Sequence, residues 1–160
     1  MIERIEQIEE QVNKLGPEGY KKLYQEIQEQ QPLLISFFLG YKMDGYDNYL
    51  QGVIMRGVFT IYLFYRDEPF FQNTKLGYKE FQELRDEQFD FMEFMESHPT
   101  MIQDKELTQK MINALPDLTL YQYLIKGFEI SPAFNTLPVE DKGTIGLEFK
   151  ILLELIQRKK

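Results

Sequence analysis

A chain of 160 residues with a formal charge of −8 is long enough to bury one core, and too acidic to be drawn to a phosphate backbone, whose hold on proteins comes mainly from Lys and Arg. The absence of cysteine removes disulfides, thiolate nucleophiles and zinc–thiolate sites together. Thirteen Phe, ten Tyr and seven Met supply a core rich in rings.

Along the chain, Ile5, Ile8, Val12 and Leu15 recur at steps of three and four, the seam of a helix laid lengthwise on a neighbour. Gly16-Pro17 ends it. The opening residues Met1-Ile2-Glu3-Arg4-Ile5-Glu6 contain no basic stretch followed by an apolar block, so they do not read as a secretory signal, and a cytoplasmic location is the default expectation. A second amphipathic helix sets Tyr20, Leu23, Tyr24 and Ile27 against Lys21, Glu26 and Glu29. Pro32, as a first-turn proline, opens a third helix through Leu33, Leu34, Phe37, Phe38 and Tyr41 to a turn at Asp44-Gly45-Tyr46-Asp47.

Residues 47–65 are apolar on every helical face, which predicts a central buried helix. The β-branched content leaves a buried strand as the competing reading, but the length favours helix. Its most apolar part, 53–65, contains Arg56 and falls short of the roughly 20 residues that span a bilayer. No membrane association is expected.

Asp67-Glu68-Pro69 begins a loop that reaches Gly77. The helix that follows, 78–97, gathers Tyr78, Phe81, Leu84, Phe89, Phe91, Met92 and Met95 on one arc and acids including Asp86, Asp90 and Glu93 on the other, with Phe94 among the acids. Two further helices are predicted at 104–115 and 117–128, divided by Pro116, with Asp104 and Asp117 suited to N-capping them. A loop through Ser131-Pro132 and Pro138 leads to the last helix. That helix carries one stripe of Ile145, Phe149, Leu152, Leu153 and Ile156 and a second of Leu147, Ile151 and Leu155, parted by Glu148. The whole reads as an all-α protein, a single domain over 1–160 built as a bundle of about seven or eight helices around the apolar helix near 47–65.

The chemistry-bearing residues are few. The single histidine, His98, stands in Glu96-Ser97-His98, which lacks the Glu-x-x-His spacing of helical di-iron sites, and its place before Pro99 suits a helix C-terminus better than a general base. There is no Gly-x-Ser-x-Gly elbow, and Gly143-Thr144-Ile145-Gly146 lacks the residues of a dinucleotide or P-loop cradle. Asp86, Asp90 and Glu93 read as a solvated face rather than a metal site. No catalytic residue, metal ligand or cofactor is assigned, and the chain leans away from an enzyme.

Arg56 is the sole formal charge between Asp47 and Arg66. A guanidinium there requires an acid on another helix or serves as anchor for an anionic ligand. Arg85 and Gln88 fall in the apolar arc of 78–97, and with Arg56, Tyr62 and Tyr65 they form a candidate ligand-binding set. Two functions follow. The first is a helical interaction module that self-associates as a homodimer or takes a protein partner, using Phe94, Leu147, Ile151 and Leu155 as interface; a helix docked on one core needs one stripe, and this one has two. The alternative is a bundle that binds a small anionic or apolar molecule around Arg56. No nucleic-acid partner is expected from either reading.

Overall fold

Residues 1–97 and 117–160 are described by the computed structural model, and among them the chain forms nine helices and no strand. They are α1 (Ile2–Asn13), α2 (Pro17–Gln30), α3 (Pro32–Met43), α4 (Asn48–Tyr65), α5 (Pro69–Asn73), α6 (Tyr78–Glu96), α7 (Leu118–Glu129), α8 (Pro132–Asn135) and α9 (Val139–Gln157). The all-α bundle with a largely buried α4 follows the architecture the apolar pattern predicts. The helix predicted at 104–115 and His98 lie outside the described residues.

Local sequence explains where elements begin and turn. α2, α3, α5 and α8 each start with proline in the first turn, where the missing N–H has no intrahelical partner to lose. Two of these, α5 and α8, fall in stretches expected to be loops. Asp47 caps α4 by accepting from the Leu50 N–H at 2.8 Å, and Gly45 makes the preceding turn at a φ of 81°, a conformation glycine adopts without a Cβ penalty.

Packing follows the apolar faces. α1 and α3 lie on α4, α2 on α3, α6 on α9, and α7 on both α4 and α9. Ile5 and Ile8 bury the seam of α1, while Val12 and Leu15 are partly buried against the core. At the centre, Phe149 of α9 meets Phe37 and Phe128 edge to face, with ring centroids 5.1 and 4.9 Å away.

Three expectations change. The second stripe of α9 is not an unclaimed surface: Ile151 is 0% and Leu155 1% exposed, and Leu147 is partly buried. α9 packs against α6 as well as α7, so both stripes meet helices of the same chain. Secondly, α4 is not buried all round. Tyr49, Gly52 and Arg56 are exposed, and a strip of α4 faces outward between its neighbours. Thirdly, Asp117 precedes α7 but makes no capping bond to it, because its carboxylate accepts from the Tyr65 hydroxyl and the Gln157 amide. Among the described residues, no helix is long and apolar enough to cross a membrane.

Candidate functional site: a groove beside Arg56

On α4, Val53, Arg56, Gly57 and Thr60 stand at i, i+3, i+4 and i+7, the spacing that lines one helical face. Apart from Arg56 they are small, so the face lies low between its neighbours. α1 contributes Glu9 and Asn13 to one wall, and α7 contributes Tyr123, Leu124, Lys126, Gly127 and Phe128 to the other, with Ile130 just beyond its end. The groove is open to solvent along one side and has a volume of about 500 Å³, within the range typical of small-molecule sites. A smaller hollow of about 180 Å³, lined by Val12, Leu15, Tyr20, Gly52 and Phe59, adjoins Arg56 as well.

Arg56 is held from α1. Its guanidinium donates to Asn13 Oδ1 at 2.5 Å and lies 3.8 Å from Glu9 Oε1, and both charged side chains remain more than 40% exposed. The interhelical acid that the sequence demands of Arg56 is therefore present, but in a solvent-facing setting where such pairs contribute only about 0–1 kcal/mol. Lys126 makes no ion pair among the described residues. The Thr60 hydroxyl donates to the Arg56 carbonyl at 2.8 Å and so is engaged by its own helix. Burial pushes the Tyr123 hydroxyl above its ordinary range, and the neighbouring Glu9 carboxylate adds to the rise. Tyr123 stays protonated at neutral pH, a donor rather than a charge.

The other residues of the predicted ligand-binding set lie elsewhere. Tyr62 is buried with its ring 5.9 Å from Phe71, and burial together with Glu26 raises its hydroxyl well above the usual range. Tyr65 donates to Asp117. At about 100° per residue, Tyr65 is half a turn of the helix circumference away from Arg56, which is why the two cannot share a cavity. Arg85 stacks over Phe89, 4.4 Å from the ring centroid, and approaches Glu148 of α9 at 3.7 Å. Gln88 donates to Glu154 at 3.1 Å and accepts from Lys150 at 2.9 Å. Thus Arg85 and Gln88 fasten α6 to α9 and do not reach Arg56.

Glu148 is the acid of this seam that packs against Tyr41 and Arg85. Burial raises its carboxyl above the ordinary 4.5, partly offset by the Tyr41 hydroxyl, which donates to it at 3.0 Å, and by Arg85, while Asp44 raises it further. A carboxyl whose folded value exceeds its unfolded value holds more proton in the native state, so stability falls as pH rises through the window above 4.5. In urea unfolding at about pH 5 and about pH 7.5, wild type is expected to lose stability relative to Glu148→Gln at the higher pH. Parallel changes in the two proteins would contradict burial as the dominant cause.

Sequence reasoning missed Glu9, Asn13, Tyr123 and Lys126. The available signal was the run of small residues Gly52, Val53, Gly57 and Thr60, which marks a face of α4 too shallow to fill the space between two helices. Asp86, Asp90 and Glu93 are exposed, and among the described residues no three His, Asp or Glu side chains are grouped to hold a metal ion. No protein-family model, curated protein or solved structure matches the chain.

Proposed function

We propose that the protein binds a small amphipathic molecule in the groove bounded by α1, α4 and α7. The observation that carries this reading is the combination of a roughly 500 Å³ hollow walled by Val53, Leu124, Phe128 and Ile130 with two exposed cations, Arg56 and Lys126, in its lining. Sites of this kind take their affinity from apolar walls and their orientation from a few polar groups. Self-association finds no support in Ile151 and Leu155, which are enclosed by their own chain, and among the four residues assigned to an interface Phe94 alone is strongly exposed, at 48%.

The test uses Gly127, which lines the groove and where an added Cβ would meet no atom within 4 Å. Gly127→Leu should fold normally and gain about 0.5–1 kcal/mol from helix propensity, while its side chain obstructs the groove. A neutral naphthalene fluorophore is expected to bind wild type saturably at one site and to lose about tenfold or more in affinity in Gly127→Leu, the ratio set by roughly one displaced apolar group. Non-saturable binding, or equal binding to both proteins, would refute the proposal.

A further inference from the structure

We infer that the occupant of this groove is a single acyl chain ending in one carboxylate. The inference rests on the groove being the binding site, and takes that reading further by counting charge. Arg56, Lys126 and Glu9 are the charged members of the lining, two cations and one acid, which leaves a net charge of +1. A monoanion neutralises that balance. A dianion would overshoot it in a chain already carrying −8, and an uncharged chain would cover Arg56 and Lys126 without replacing the water they lose.

The geometry around Arg56 fits a carboxylate in particular. Of its five N–H donors, one is given to Asn13 and the Tyr123 hydroxyl oxygen engages the guanidinium as well, while Glu9 at 3.8 Å is too distant for a direct hydrogen bond. Donors therefore remain for a second carboxylate, in the planar two-point arrangement guanidinium favours. The α4 strip from Val53 to Thr60 runs about 10 Å at the helical rise, and the apolar walls beside it suit a medium-length hydrocarbon tail.

Decanoate, decanol and decanedioate, each competed against the neutral fluorophore, separate the possibilities. Decanoate is expected to bind about tenfold more tightly than either of the others, the range of one charge-assisted contact. Arg56→Gln, at an exposed position that leaves the core intact, should abolish the preference for decanoate over decanol. Glu9→Gln raises the local balance to +2 and should bring decanedioate level with decanoate. Equal binding of decanol and decanoate, or tighter binding of decanedioate to wild type, would overturn the monocarboxylate while leaving the groove as a site. A fluorophore that does not bind at all removes both. A ligand-free dimer in sedimentation that Gly127→Leu converts to monomer would give the groove to a second copy and overturn the inference.

Discussion

Gln31→Leu is expected to lower the free energy of unfolding by about 3 kcal/mol or more, because it leaves buried backbone groups without partners. Gln31 is 1% exposed at the junction of α2 and α3. Its amide nitrogen donates to the carbonyls of Phe71 and Thr74, both at 2.8 Å, and its oxygen accepts from the Leu76 N–H at 2.9 Å. One side chain therefore satisfies three backbone groups, one in α5 and two in its connection to α6, where no helical ladder is available to do so. Gln31→Glu preserves size and the acceptor for Leu76, yet turns an acceptor toward two carbonyls. It should be no better tolerated than Leu. Urea unfolding of the two variants tests the clamp; a loss under about 1 kcal/mol in both would mean that water replaces the side chain.

Helix identities were legible because period alone specifies them. Ile5, Ile8, Leu23, Ile27, Phe81 and Leu84 were expected on inward faces and are buried, whereas Tyr20, Tyr78, Phe91 and Met92, expected on the same faces, are exposed. What periodicity does not carry is how many neighbours a helix has. In α9, two stripes were equally consistent with a free flank and with a second layer of the same subunit, and burial of Ile151 and Leu155 reflects the placement of α6, a non-local fact. The same limit applied to the site. Arg56 was recognisable as an anomaly, but its partners Glu9 and Asn13 are more than forty residues away on α1, and Lys126 and Tyr123 reach the groove through the packing of α7. Tyr62, Tyr65, Arg85 and Gln88 shared with Arg56 the property of being polar on apolar helix faces. Each satisfies that condition with its own local partner, so a shared property did not mean a shared place. Short helices such as α5 and α8 escaped for a simpler reason: four or five residues are too few for a period to register.

Phe149→Ala is expected to be the most damaging single change in the core, at about 3–5 kcal/mol, the range for removing an enclosed aromatic side chain. Phe149 is fully buried, stacked edge-on against Phe37 and Phe128, and the helix facing it has a glycine. A Cβ on Gly57 would come within 2.9 Å of Phe149 Cε1 and 3.4 Å of Phe128 Cζ. In an unhindered helix, Gly→Ala stabilises by about 0.5–1 kcal/mol, and Gly127→Ala, with open space around it, should do so. Gly57→Ala should have the opposite sign, losing about 1–3 kcal/mol to overpacking. Because the added methyl and the ring compete for one volume, Gly57→Ala combined with Phe149→Ala should be less destabilising than the sum of the two, by about 0.5–3 kcal/mol in a double-mutant cycle. Additivity would mean that α4 shifts away from the ring instead of pressing on it. Gly57 and Phe128 also line the groove, so the ring that sets the spacing of α4 and α9 sits directly behind the proposed site. A shift of α4 would therefore register as weakened fluorophore binding in Gly57→Ala even where the protein remains folded.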